Sequence, residues 1–236
     1  MSAGFQCKKF FVAHDRCAMK VGTDGLLLGA FAPLPPAGGA ILDIGAGSGL
    51  ISLMLAQRTA GANPIDAVEL DAAAAEQAAI NVANSPWPEA IRLIKGDILT
   101  YRSDKRYRLI VSNPPFFQQS LLPVDKKRSQ ARHTDSLPLD ALLAKAGELL
   151  HAEGIFSFIL PLAEAGAMLQ QALAQGCYLA QRLVVRIKAN KPVQRLLLSL
   201  SKQKQKATAS SLIIHQADGG YSAEYKALLR DFYLKF

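Results

Sequence analysis

Asn113-Pro114-Pro115-Phe116 brings four separate chemical capabilities into one short stretch. The Asn113 carboxamide offers one acceptor and two N–H donors. Pro114 and Pro115 remove two backbone N–H groups and fix two φ angles, so the carbonyls there are held in place. Phe116 supplies a flat apolar face. Rigid acceptors beside a stacking surface suit the grip of a planar group that carries an NH2, and Phe117 either extends that surface or packs in the core. Such a tetrapeptide needs a scaffold that presents it at a surface.

The upstream sequence supplies one. Ala40 to Ile44 is a short buried-strand pattern that runs into Gly45-Ala46-Gly47-Ser48-Gly49, and Leu50, Leu53 and Met54 continue at helical spacing. Ile65 to Leu70 reads as a second strand. Asp71 caps an alanine-rich helix that reaches Asn84. Ile91 to Ile94 is a third strand, ending at Gly96-Asp97, and Tyr107 to Ser112 is a fourth that feeds directly into Asn113. Leu139 to Leu150 forms one helix face closed by Gly154, and Ile155 to Leu160 is a fifth strand. Ala163 to Gln175 and Ser222 to Phe236 read as helices. Leu183 to Ile187 and Leu196 to Leu200 read as an antiparallel pair.

Strands alternating with helices imply an α/β three-layer α-β-α sandwich, Rossmann-like, on a mostly parallel sheet. Ligands bind such sheets beyond the carboxyl ends of the strands. The glycine loop, Glu69, Asp97 and Asn113 all fall at those ends, so residues from distant parts of the chain converge on one rim. Pro33-Leu34-Pro35-Pro36 followed by Gly38-Gly39 reads as a turn or linker, so two regions are expected, residues 1–36 as an N-terminal region and 37–236 as the main domain.

Two cofactor classes use such a glycine loop. A dinucleotide site wants G-x-G-x-x-G with its pyrophosphate at the helix N-terminus. Here Leu50 stands at the sixth position and no basic side chain opens the helix. Asp43 adds negative charge where an ammonium can dock. That pattern favours S-adenosylmethionine, which carries no phosphate. Glu69, next to Leu70, is placed to accept from a ribose diol. Asp97 is placed to accept from an adenine amine with Ile98 against the ring, or to act as a cap.

The net charge is +8, from 27 basic and 19 acidic residues, which points to a polyanionic partner. Lys126, Lys127, Arg128 and Arg132 follow the tetrapeptide, and Lys8, Lys9, Arg16 and Lys20 lie near the start; either set can meet phosphates. Lys202, Lys204 and Lys206 read better as a solvated face. Cys7, Cys17 and Cys177 and four scattered His form no metal spacing, so no metal and a reduced, cytoplasmic setting are expected. No apolar run is long enough to span a membrane, and the first residues lack the layout of a signal peptide.

Asp43 to Gly49, Glu69, Asp97 and Asn113 to Phe116 together resemble the class I S-adenosylmethionine-dependent methyltransferases that modify exocyclic amines. Phe10 to Ala32, Asn84-Ser85-Pro86-Trp87 and Tyr221 to Tyr225 are similar to the bacterial tRNA1(Val) (adenine-37-N6)-methyltransferase family. The resemblance implies a seven-stranded sheet whose last strand is antiparallel and a tRNA adenine as methyl acceptor. It also implies Thr23-Asp24-Gly25 in a flap over the cofactor, the alternative being a helix N-terminus packed on the sheet. Position 116 is Phe where this group often has Tyr, so no phenolic hydroxyl acts there. A monomer is expected. Another rRNA or DNA base, or a protein glutamine amide, presents the same planar NH2 and is the competing substrate class.

Overall fold

The structure is a computed structural model, and it describes residues 3–115 and 137–236. The chain order is β1 (Gly4–Gln6), β2 (Phe11–Ala13), α1 (Thr23–Phe31), β3 (Ile41–Ile44), α2 (Leu50–Arg58), β4 (Ile65–Glu69), α3 (Ala72–Ala83), β5 (Ile91–Lys95) and β6 (Tyr107–Ser112). Then follow α4 (Leu139–Leu149), β7 (Leu150–Pro161), α5 (Leu162–Ala174), β8 (Tyr178–Arg186), β9 (Val193–Ser201), β10 (Thr208–Ile213) and α6 (Ala223–Leu229).

Among the described residues the main sheet has the order β10-β8-β9-β7-β6-β3-β4-β5. β3 to β7 run parallel, and β9 lies antiparallel between β7 and β8. This is the expected sandwich with its late antiparallel strand, plus one strand more. β10 follows β9 and pairs parallel with β8 at the sheet edge.

Alternation along each strand builds two cores. In β3, Ile41 joins the layer that holds α1 and α2, while Leu42 and Ile44 join the layer that holds α4 and α5. Asp43 is therefore turned to the α2 side by the same period of two that buries its neighbours. The N-terminal segment belongs to this packing: Phe10, Val12 and Leu26 to Leu28 share a core with Ile41 and Leu109. Arg58 Nη1 donates to the carbonyls of Gly29 (2.9 Å) and Ala32 (2.7 Å), satisfying the end of α1 from the end of α2.

Some local readings change. Asp71 caps α3 as expected, its Oδ1 accepting from the Ala74 N–H at 2.8 Å. Gly154 does not close a helix. α4 ends at Leu149, and Gly154 sits inside β7 where a Cβ would come within 2.7 Å of the Tyr107 carbonyl oxygen. A bulge between Tyr107 and Leu109 adjusts the register at that point. The C-terminal helix is shorter than its apolar spacing suggests, because residues after Leu229 turn back and pair Tyr233 with Cys7. The polar stretch from Gln118 to Ser136 lies outside the described residues.

Candidate active site

Four strand ends make the rim. β3 delivers the glycine loop, with Gly45, Gly47 and Gly49 at φ +72°, +56° and +81°. These left-handed angles strain any L side chain. At Gly45 and Gly47 an added Cβ would meet nothing within 4 Å, so a side chain at either would fill ligand space. Gly49 caps α2 and lies against Ala78.

A cavity of about 490 Å3 opens at the loop. One wall is the segment Met19 to Gly25, which includes the first turn of α1. The other is the loop itself with Leu50 and Ile51, and Asn113 and Pro115 also line it. Thr23, Gly45, Gly47 and Asn113 thus meet around one cavity. Residues 23–25 are a helix N-terminus and a cavity wall at once. Asp24 Oδ2 accepts from Arg195 Nε at 2.9 Å, which ties this wall to β9.

Asn113 is placed by its neighbour. The Ser112 hydroxyl donates to the Ile44 carbonyl at 3.0 Å and locks the end of β6 to the end of β3. The Asn113 Oδ1 is buried and has no hydrogen-bond partner among the described residues. An orphaned carbonyl acceptor in a cavity wall costs free energy unless a donor arrives, so it marks where a ligand N–H belongs.

Asp43 is completely buried beneath the loop. Its Oδ2 accepts from the Ser52 N–H (3.1 Å) and the Ser52 hydroxyl (2.7 Å), while Oδ1 has no partner. Burial pushes its pKa up to about 6, against the two Ser52 hydrogen bonds. The folded value lies above the ordinary one of 3.8, so folded chains hold a proton that unfolded chains release between these values. Stability through this residue is therefore greatest at low pH and declines as pH rises from about 4 to 6. Asp43→Asn is expected to remove that decline from the melting temperature measured against pH; an unchanged slope would refute the assignment.

Glu69 ends β4 with both oxygens engaged. Oε2 accepts from the Gly47 N–H at 2.7 Å and Oε1 from the Asp71 N–H at 2.8 Å. It shapes the loop directly, and each oxygen keeps a second lone pair for a ligand hydroxyl. Asp97 Oδ1 accepts from the Leu99 N–H at 2.8 Å, a turn-forming contact. Leu70 is 60% exposed on the same rim, and Ile98 is packed in the core. Phe116, Phe117, Lys126, Lys127, Arg128 and Arg132 lie outside the described residues.

The residue that sequence reasoning missed is Asn81. From inside α3 its Nδ2 donates to the carbonyls of Ala13 (2.8 Å) and Ser48 (2.9 Å), and its Oδ1 accepts from the Ala13 N–H (3.0 Å). It staples the N-terminal segment to the glycine loop. An Asn between Ile80 and Val82 in an alanine-rich helix is a poor helix former, and that was the available signal.

S-adenosylmethionine fits these residues. The bare backbone at Gly45 and Gly47 admits a close ligand, and the unpartnered Asn113 oxygen in the cavity wall awaits a donor, while Asp43 lies fully buried behind the loop and does not line the cavity. Among the described residues that line the cavity, Lys20 is the one cation, a poor match for a dinucleotide's phosphates.

Residues 18–161 match the model of the family described as "Methyltransferase small domain". The "tRNA1(Val) (adenine(37)-N6)-methyltransferase" of Dickeya chrysanthemi (strain Ech1591) is 49% identical over 241 residues, covering 99% of this chain and 95% of the relative. The protein of the same name from Serratia proteamaculans (strain 568) is 50% identical over 234 residues, covering 98% and 90%. Among solved structures, a predicted O-methyltransferase from Agrobacterium tumefaciens superposes with a TM-score of 0.69 at 15% identity, covering 89% of this chain and 96% of that one, a likeness of fold. Identity near one half along almost the whole length leaves no room for a merely shared scaffold: the chain belongs to the tRNA1(Val) (adenine(37)-N6)-methyltransferase family.

Proposed function

We propose that the protein methylates the exocyclic N6 of an adenine in tRNA, adenine 37 of a valine tRNA, with S-adenosylmethionine as donor. The observation that carries the reading is the orphaned Asn113 oxygen in the wall of the cavity that the glycine loop shapes. The relatives' shared name supplies the base and its position.

When bound, S-adenosylmethionine supplies a methyl group made electrophilic by a sulfonium centre. The chain's own residues prepare the acceptor. The N6 lone pair of adenine is delocalised into the ring and is a poor nucleophile. Asn113 Oδ1 accepts one N–H of that amine and the Pro114 carbonyl accepts the other, so the nitrogen turns toward tetrahedral geometry with its lone pair directed at the donor side. Both carbonyl dipoles face the charge that grows on nitrogen. Phe116 stacks on the base, and Phe117 adds to that surface.

No strong base is needed, because the methylated ammonium is acidic enough to give its proton to water. Asp24, the one carboxylate lining the cavity among the described residues, is engaged by Arg195.

Residues 1–36 act as a cover, with Thr23 in its wall. Asp43, Glu69, Leu70, Asp97 and Ile98 serve the cofactor half of the rim. Lys126, Lys127, Arg128 and Arg132 hold tRNA phosphates beside the pocket. An adenine in an anticodon loop is unpaired, so drawing it into the cavity costs only a few kcal/mol. The protein acts as a monomer in the cytoplasm, without a metal. Among the described residues no helix is long and apolar enough to cross a membrane.

Mass spectrometry of tRNA nucleosides after incubation with enzyme and donor is expected to find N6-methyladenosine, mapped to position 37 of a valine tRNA. The same incubation with a methyl-labelled donor that left its label in protein and not in RNA would transfer the reading to a glutamine amide.

A further inference from the structure

The sheet has two rims, and their cations are treated differently. β8 runs in the same direction as β7, so Arg186, opposite Val193 in β9, lies on the rim that carries Asn113. The turn between β8 and β9, residues 187–192, therefore projects from the active-site rim. It carries Lys188 and Lys191, closed on each other by the Lys191 N–H to Lys188 carbonyl bond at 3.0 Å. Residues 202–207, between β9 and β10, project from the opposite rim.

On the opposite rim the cations are largely consumed. Lys105 pairs with Asp66, as does Arg92 from the start of β5, both at 2.9 Å. Arg108 pairs with Glu153, and Lys202 donates to the Leu150 carbonyl. Lys204 and Lys206 are the exceptions. On the active-site rim Arg195 pairs with Asp24, whereas Arg186, Lys188 and Lys191 have no ion pair or side-chain hydrogen bond among the described residues, and Lys191 is exposed.

The active-site rim is also divided along its length. The sheet order puts β3, β4 and β5 on one side of β6, and these strand ends carry Asp43, Glu69 and Asp97. Lys95 is the exception on that side. β7, β9 and β8 lie on the other side, ending in the basic turn. Asn113, at the end of β6, stands between the carboxylates at the ends of β3 to β5 and the basic turn after β8, with Glu164 in the first turn of α5 the acidic exception on the turn's side. The turn is two to three strand spacings from β6, about 10–14 Å. That is within reach of phosphates a few nucleotides from a base held at Asn113.

We infer that Lys188 and Lys191, with Arg186 beside them, form a docking surface for the phosphate backbone of the RNA substrate. The inference rests on the reading of the protein as a tRNA methyltransferase. Each phosphate neutralised releases counterions and contributes to the salt dependence of binding.

The test compares two matched charge reversals, Lys188→Glu/Lys191→Glu on the active-site rim and Lys204→Glu/Lys206→Glu on the opposite rim. The readouts are tRNA affinity against salt by fluorescence anisotropy and methyl transfer with tRNA as the varied substrate. The active-site-rim pair is expected to lose tRNA affinity by at least about tenfold. Its slope of log affinity against log salt should fall by about 1.5, near two phosphates' worth. The KM for tRNA should rise, while kcat and cofactor affinity stay as in the parent. The opposite-rim pair should change affinity by no more than about twofold, the residue of a screened long-range field. Lys188→Gln/Lys191→Gln, which removes charge without reversing it, should give a smaller loss in the same direction and guards against misfolding.

Equal losses from both rims would overturn the inference, as would an indifferent active-site-rim pair in an enzyme whose parent methylates tRNA. A parent that binds and methylates no tRNA would overturn the underlying reading and this inference with it.

Discussion

Asn113→Ala is expected to reduce methylation of tRNA by about 10^2 to 10^3-fold in kcat, the scale set by removing one preorganised polar group aimed at developing charge. Its oxygen is buried, unpartnered among the described residues, and held by the Ser112 to Ile44 bond at the end of β6. The alanine variant removes that acceptor and cannot replace it with water of fixed orientation. Cofactor affinity should fall by no more than about tenfold, since a single hydrogen bond is at stake there. Asn113→Asp keeps an acceptor oxygen and should retain more activity than alanine. Single-turnover rates at saturating tRNA and donor separate the step from binding. A near-normal rate in Asn113→Ala would leave the Pro114 carbonyl and stacking as the whole of the acceptor site.

The parts of this site that were legible in the sequence are those fixed by local rules. A strand that runs into three closely spaced glycines leaves few backbone solutions, and Gly45, Gly47 and Gly49 take the left-handed angles that reading implies. Strand endings at Glu69 and Ser112 follow from apolar runs stopped by polar residues. What was illegible depends on contacts made across the chain. β1 and β2 are three residues each, too short to show a period, and they exist because Asn81, the core around Val12 and the Cys7–Tyr233 bridge hold them. β10 has the sequence Thr208-Ala209-Ser210-Ser211-Leu212-Ile213, with its first four residues exposed, so no alternation marks it. An edge strand needs only one neighbour, and β8 provides it. The buried Asp66 is similar: its partners Tyr107, Lys105 and Arg92 come from two later segments. Burial pushes its carboxyl upward, but those hydrogen bonds outweigh it and hold the group below its ordinary range.

Asn81→Ala is expected to be the most destabilising of these changes, and it also reaches the cofactor site. The side chain serves three buried backbone groups: the N–H and carbonyl of Ala13 and the carbonyl of Ser48. Alanine supplies none of these partners. Each orphaned group costs about 1–3 kcal/mol when water cannot reach it. The sum is about 3–6 kcal/mol, allowing for some entry of water into the space the side chain leaves. For a chain of this size that corresponds to a fall in Tm of about 6–24 °C. The functional consequence follows from where the bonds end. Ala13 leads into the segment whose residues 19–25 form one cavity wall, and Ser48 is part of the other. Asn81 is thus a positioning residue that sets the width of the cavity without touching what fills it. Measured well below the lowered Tm, donor affinity should fall by about tenfold or more, while the kcat that remains at saturating donor is closer to the parent value, because Asn113 is undisturbed. Asn81→Asp keeps the acceptor for the Ala13 N–H but presents oxygen to two carbonyls, so it should be no better than alanine. An Asn81→Ala protein that melts with the parent and binds donor normally would show that the N-terminal segment is held by its core residues alone.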